Sequence, residues 1–473
     1  MRQVSAITLA WIAVVALLFP ILIALGIYMR TVQSGHLAEL QSWFYPMMTL
    51  HGLGMVGLWF TAPLACVSDA LQRHVKPSAT VSWLALGGTV AGVLLLLICV
   101  FLGRFAAGWY FLYPLPLMGG WPKWSAVLFL VALTILGATW LVWSLDLLRA
   151  IAQRYSLSQA LAWHYLVGRN EPEVPPLVLI ATVSLIVCVA GLIAAVVVVA
   201  LFYADVFGGI KSDTLLMKNL TFFFGHVLVN LSMYLGAAVT YEALPEYAGR
   251  PWKTNRIVAL SWNAVLIIVL LAYFHHLYMD FVQPEAVQYI GQIASYVSSI
   301  PAAVVTIFGA LMLVYRSPMR WGLAPALFLA GLAGWAIGGV GAVIDSTITV
   351  NAVLHNTLWV PAHFHTYFLM GLVLLTLAYF YHRTQTGAQP ETRASRWMIM
   401  ALMFVGGYGF LLMFYLAGAL SVPRRYALYP PEVAYGASYA AAAAAFAAVF
   451  LLGFLLYLRQ LWKRRADAAT AQT

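Results

Sequence analysis

Hydrophobic stretches long enough to cross a lipid bilayer as helices recur about twelve times along this chain. A helix rises about 1.5 Å per residue, so about 20 apolar residues span the hydrocarbon core. The stretches lie near residues 5–30, 44–70, 80–103, 124–148, 176–205, 216–246, 256–280, 288–315, 322–345, 351–382, 396–420 and 435–462. Only short loops separate them. The pattern predicts an all-α, polytopic membrane protein with a single transmembrane domain over residues 1–473.

The composition supports a lipid environment. Hydrophobic residues make up 63% of the 473 positions and charged residues 8%. An N-terminus in the cytoplasm places 18 of the 25 Lys and Arg residues on that side, which is the usual bias of membrane proteins. Both termini are therefore predicted to be cytoplasmic, including a short tail at 463–473, and the first segment reads as a retained helix. The net charge of +10 reflects this topology, and no nucleic-acid partner is expected.

The cysteines restrict how a cofactor could be held. Cys66, Cys99 and Cys188 lie far apart within apolar stretches, so the sequence has neither a disulfide framework nor a Cys-x-x-Cys-His haem attachment site. Any haem would have to be bound noncovalently, with histidine as the ligand.

Six histidines on four predicted helices fall at a similar depth, in the outer half of the membrane. A single membrane histidine is more often a neutral ring that shares a hydrogen bond in the core. Polar side chains in the bilayer are costly and usually functional, and six at one depth point to cofactors. The six are His51, His226, His275, His276, His363 and His365.

The spacing of these histidines separates their roles. His363 and His365 are two residues apart, roughly 200° around a helix, so one helix could serve two flat cofactors on opposite sides. Adjacent His275 and His276 cannot both face one centre from a regular helix. We expect either local distortion at that helix end or nitrogens that converge from both sides. With His226 they would form a three-histidine site suited to copper or iron.

Four motifs resemble the catalytic subunit, subunit I, of the haem-copper oxidase superfamily. They are GHVLVN at 225–230, FHH at 274–276, HNTLWVPAHFH at 355–365 and VPRRY at 422–426. They occur in the family's order, cover nearly the whole chain and look most similar to the B-type branch. The resemblance implies a subunit I-like bundle in the cytoplasmic (inner) membrane of a bacterium or archaeon.

The resemblance also implies a set of cofactors. A low-spin haem, expected to be of b type, would have His51 and His365 as axial ligands. A high-spin haem of b, o or a type would have His363 as its proximal ligand. One nonhaem metal, with copper favoured over iron, would be bound by His226, His275 and His276.

Arg424 and Arg425 match the family's arginine pair near the haem propionates, and His355 is expected in the same region. Two alternatives stay open. The arginines could instead anchor a helix at the membrane interface, and His355 could serve only as a hydrogen-bonded helix start.

One departure from the family pattern bears on the reaction. Oxygen-reducing B-type members carry a tyrosine one turn after the first metal histidine, whereas the turn from His226 ends at Asn230. Another branch supplies the tyrosine from the seventh helix, where this chain has Val269. Tyr273 and Tyr234 are weak substitutes, because one should point to another face and the other lies two turns away.

The missing tyrosine favours nitric oxide as the substrate. Splitting dioxygen in one step needs four electrons, one of them from the tyrosine, whereas joining two NO molecules into N2O and water needs two electrons and two protons. The amide of Asn230 can hydrogen-bond bound NO without carrying a charge, although it could simply bond a neighbouring helix. The sequence therefore predicts a membrane nitric oxide reductase. A terminal oxygen reductase, acting as a cytochrome c or quinol oxidase, is the alternative, and a transporter without cofactors is a third.

Protons would still need a path to the site. Glu242, with Tyr241 beside it, is a candidate for that path, although an acidic residue near a helix end is often only interfacial. Residues 301–305 are apolar where B-type oxidases often carry hydroxyls, and Asn351 stands where an aspartate is common. Proton pumping is therefore in doubt.

The chain has no haem c motif and no segment that resembles a cupredoxin domain. We therefore expect a partner subunit, cupredoxin-like or bearing cytochrome c, that passes electrons from a soluble donor or quinol.

Overall fold

Twelve helices long and apolar enough to cross a membrane dominate the computed structural model. The structure describes residues 4–168, 170–298, 300–384 and 390–470, the side chains of 464–470 excepted. The helices are α1 Ala6–Gln33, α2 Ala38–Leu71, α3 Ala79–Phe101, α4 Lys123–Ala152, α5 Pro176–Gly208, α6 Thr214–Ala248, α7 Arg256–Leu277, α8 Glu285–Val314, α9 Leu323–Asp345, α10 Trp359–Arg383, α11 Arg393–Ala419 and α12 Gly436–Lys463. Within this described part there is no β-strand. The all-α, twelve-span prediction is confirmed.

The predicted tail at 463–473 is helical as far as residue 470. Its remaining residues, and its side chains beyond Lys463, lie outside the described part of the chain.

Helix α6 crosses the centre of the bundle and is defined by clear end signals. The Asp213 carboxylate accepts the backbone N–H of Leu216 at 2.7 Å, and Gly249, at φ +66°, ends the helix in the left-handed region. Most positions after Gly225 are buried. The helix packs against α2, α5, α8, α9 and α10, which places its polar side chains inside protein.

Small residues on α9 let α10 approach closely. A Cβ at Gly338 would lie 2.9 Å from the Tyr367 Cα, and a Cβ at Gly334 would overlap the Met370 backbone. Directly after Tyr367, α10 widens into a π turn over Phe368–Val373. Such turns shift the register of a helix and often occur at functional sites.

The predicted span at 351–382 is wrong at its start. A short helix covers Ile348–Leu354, and α10 begins only at Trp359. The intervening residues pair with the VPRRY segment: Leu358 N donates to Val422 O, and Arg424 N donates to Asn356 O, both at 2.9 Å. These backbone bonds compete with helix formation, so HNTLWVPAHFH folds as a loop followed by a helix.

A buried ionic cluster joins α1, α2 and α10. The Asp69 carboxylate accepts hydrogen bonds from the Thr8 hydroxyl at 2.8 Å, the Tyr379 hydroxyl at 2.8 Å and the Arg383 Nε at 2.6 Å. Asp69 and Arg383 are 7% and 5% exposed. An ion pair this buried stabilises the fold only while both partners remain, because a lone charge there is costly.

Asp69→Ala is expected to destabilise the protein by about 3 kcal/mol, because Arg383 loses this carboxylate in a buried site. Glu173→Ala is the matched control, since Glu173 forms an exposed pair with Lys253 at 3.4 Å and should cost less than about 1 kcal/mol. Thermal unfolding of the detergent-solubilised protein, followed by circular dichroism, measures both. Equal midpoints for the two variants would contradict the role of the cluster.

Candidate metal centre

One cavity of about 540 Å³ lies among α1, α2, α6, α7 and α10. All six histidines singled out in the sequence line it, as do Asn230, His355, Arg424 and Arg425. The fold thus brings ring nitrogens from four helices to a single internal space.

His226, His275 and His276 converge on one point of this cavity. One ring nitrogen from each lies within 4.8 Å of the others. His226 Nδ1 is 3.3 Å from His276 Nε2. The expected distortion is confirmed, because α7 ends in a 3-10 turn over Tyr273–Leu277 that lets adjacent histidines approach one centre.

A serine orients the middle ring of this trio. The Ser295 hydroxyl donates to Gly291 O at 2.6 Å, so it accepts the hydrogen on His275 Nδ1 at 2.8 Å. The other ring nitrogen of His275, Nε2, is then left as a ligand. Three neutral imidazoles that face a shared position fit a transition metal such as copper or iron.

His51 and His365 form a second, separate pair. Their ring centroids are 6.4 Å apart and their planes differ by 22°. His51 Nδ1 donates to Leu22 O and His365 Nδ1 donates to Pro361 O, each at 2.7 Å, because a carbonyl oxygen can only accept. Two metal–nitrogen bonds of about 2 Å would separate such ring centres by about 6 Å. The pair therefore fits a bis-histidine haem.

His363 associates with the trio and not with this pair. It is close enough to His226 and His275 to interact with them electrostatically, whereas His365 interacts with His51. A Cβ at Gly341 would lie 3.1 Å from His363 Nδ1, so a glycine makes room for this ring. The two neighbouring histidines of α10 thus face different neighbours, which fits their expected division between two cofactors.

The arginine pair forms a half-buried cationic side of the cavity. Burial, together with the neighbouring Arg425 cation, lowers the pKa of Arg424 to about 9, and Arg424 Nε has no hydrogen-bond partner among the described residues. The Arg425 guanidinium lies 3.9 Å from the ring centre of Tyr110. His355 contacts the Asn351 amide oxygen through Nδ1 at 3.1 Å. Haem carboxylates fit this unsatisfied positive region.

Asn230 lies directly beside His226. Its Nδ2 is 3.0 Å from His226 Nε2 and donates to His226 O at 2.9 Å. Tyr234 packs edge-on against Trp262, outside the cavity lining, and Tyr273 is likewise not among the lining residues. Neither weak substitute for the missing tyrosine reaches the site.

The sequence interpretation overlooked Tyr367. Its hydroxyl lies 3.5 Å from Asn230 Oδ1, and its side chain lines the cavity. The signal was present, because Tyr367 is one helical turn after His363 and therefore shares its face.

Glu242 and Tyr241 do not line the cavity. Glu242 pairs with Arg73 at 3.4 Å and with His74 at 3.2 Å, at the end of α2. The Tyr241 hydroxyl lies 3.1 Å from the Thr306 hydroxyl on α8. Thr306 directly follows the apolar stretch 301–305, so this region of α8 does carry one buried hydroxyl.

Comparison with known proteins agrees with these features. The sequence model "Cytochrome C and Quinol oxidase polypeptide I" matches residues 6–455. Cytochrome c oxidase subunit 1 of Thermus thermophilus is 24% identical over 81% of this chain and 69% of its own length. The same subunit of Synechocystis is 24% identical over 82% of this chain and 70% of its own. A solved heme-copper terminal oxidase dimer superposes with a TM-score of 0.78 at 22% identity, covering 98% of this chain and 84% of that chain. This chain therefore belongs to the subunit I family of the haem-copper oxidases, which are membrane oxidoreductases.

Proposed function

We propose that this chain is the catalytic subunit of a nitric oxide reductase. The overall reaction combines two NO, two electrons and two protons into N2O and water. One observation carries the proposal: an uncharged amide, Asn230, lies against the far ring nitrogen of His226, where B-type oxygen reductases place their tyrosine. When bound, the two haems and the third metal would supply the electrons and the binding positions for the gas.

The residues divide into three groups of ligands. His51 and His365 would hold the low-spin haem, and His363 the high-spin haem. The trio of His226, His275 and His276 would hold the nonhaem metal. We favour copper, because none of the described residues that line the cavity is a glutamate and imidazole donors suit copper.

The other polar residues would orient the bound groups, neutralise their charge or carry protons. Arg424 and Arg425 would bind haem carboxylates, with His355 in the same region. Asn230 would keep an uncharged amide beside His226, which suits an apolar pocket. Tyr241, with Thr306, is a candidate for part of the proton path. The contacts of Glu242 with Arg73 and His74 at the end of α2 favour an interfacial role for that residue.

Oxygen reduction is the second candidate, and two observations favour it. The relatives compared above are named cytochrome c oxidase subunit 1. In addition, Tyr367 brings a tyrosine hydroxyl to Asn230. With either gas, we propose that a cupredoxin-like or cytochrome c-bearing partner subunit delivers electrons, and that the complex lies in a bacterial or archaeal cytoplasmic membrane with both termini of this chain inside.

Gas turnover by the purified complex separates the two candidates. We expect anaerobic consumption of two NO per N2O formed, with much slower oxygen uptake, because Asn230 stands one turn after His226, where B-type oxygen reductases carry their tyrosine. Metal analysis of the same preparation is expected to give one copper per two haems. Fast oxygen uptake without NO consumption would instead establish the second candidate.

Gly26→Ala tests the role of His51. The added Cβ would lie 3.0 Å from His51 Cε1, so it should displace the ring and lower the low-spin haem signal in a reduced-minus-oxidised spectrum. Gly87→Ala is the control, because a Cβ there meets nothing within 4 Å. A normal low-spin signal in Gly26→Ala would contradict the expected displacement of the His51 ring.

A further inference from the structure

Tyr367 places a hydroxyl beside the three-histidine site although it is not itself a ligand. It lies one turn after His363 on α10, and its hydroxyl is 3.5 Å from the amide oxygen of Asn230 on α6. Tyr367 is 5% exposed and Asn230 is 9% exposed. The contact therefore joins two helices inside the protein, at the edge of the cavity.

The orientation of the Asn230 amide follows from its other contacts. Its Nδ2 lies 2.9 Å from His226 O, which can only accept, so the NH2 group must face the α6 backbone and the His226 ring. The amide oxygen then points away from His226. It needs a donor in a buried setting, and the Tyr367 hydroxyl is in position to donate.

The backbone around Tyr367 holds this hydroxyl in place. Gly338 allows α9 to approach the Tyr367 Cα so closely that an added Cβ would lie 2.9 Å away. The π turn over Phe368–Val373 starts at the next residue, which sets the rotation of α10 at this level independently of the rest of the helix.

We propose that Tyr367 is a positioning residue of the three-histidine site, and that its hydroxyl binds the Asn230 amide oxygen and so keeps the amide N–H on the carbonyl oxygen of His226. Without the hydroxyl, the amide oxygen loses its donor and the amide can rotate. Two orientations would then present different hydrogen-bonding groups to His226. The expected effect on NO turnover rests on the proposed function. The expected effect on the geometry of the site does not rest on it.

Tyr367→Phe in the full complex is the test, because it removes one oxygen atom and little volume. In the reduced complex with bound carbon monoxide, the C–O stretching band should broaden or split as the amide adopts two orientations. Turnover should fall about tenfold, as is typical when a group that supports metal ligands is removed. Haem content and the low-spin haem spectrum should stay unchanged.

The matched control is Tyr457→Phe. This residue is also a buried tyrosine, and it donates to Leu377 O at 2.8 Å, but it does not line the cavity. Its loss should leave the carbon monoxide band as in the native protein. In an Asn230→Ala background, Tyr367→Phe should have no further effect on the band or on turnover, because Tyr367 acts through that amide.

An unchanged, single band in Tyr367→Phe overturns the proposal, and so does a full further loss of turnover in the Asn230→Ala background. If Tyr367→Phe fails to retain haem, Gly338→Ala displaces the same residue and is expected to alter the band. A native band there also overturns the proposal. Turnover is measured with both NO and oxygen, so a native complex inactive with NO rejects the proposed reaction while the carbon monoxide bands still decide the role of Tyr367.

Discussion

The centre of this molecule depends on how each imidazole that lines the cavity divides its two nitrogens between partners. An imidazole that donates from one nitrogen to a fixed protein acceptor keeps the other for a ligand, in a set orientation. His51 and His365 use backbone carbonyls for this purpose, and His275 uses the Ser295 hydroxyl. Because the acceptors belong to the helices themselves, helix packing sets the orientation of each of these rings.

His226 differs from His51, His275 and His365 in its supporting partner. The far side of its ring meets the Asn230 amide one turn along the same helix, and the amide contacts α10 through Tyr367. The electrostatic surroundings of this ring are therefore set by a neutral group. A neutral amide suits an apolar pocket, because a carboxylate at the same position would need its own counter-charge.

Much of the fold and site could be predicted from sequence, because the relevant signals are local. Apolar length predicts the spans, and the spacing of His363 and His365 predicts that the two rings face different neighbours. The adjacency of His275 and His276 predicts either a distorted end of α7 or rings that converge from both sides, and the structure has the distorted end. The contact of Tyr367 with Asn230 could not be predicted in this way, since it depends on the relative rotation of α6 and α10, which a π turn changes. The start of α10 was missed for a similar reason, because long-range backbone pairing overrode local helix propensity.

The backbone pairing between the start of α10 and the VPRRY segment has a mechanical consequence. Asn356 and Leu358 bond directly to Arg424 and Val422, a few residues before the histidines of α10. These bonds connect the backbone of the arginine pair directly to the start of the helix that carries His363 and His365. A haem bound here by a histidine and by the arginines at its carboxylates would have the distance between these two attachments set by the backbone pairing. Tilting the haem plane would require the backbone bonds between the two segments to break.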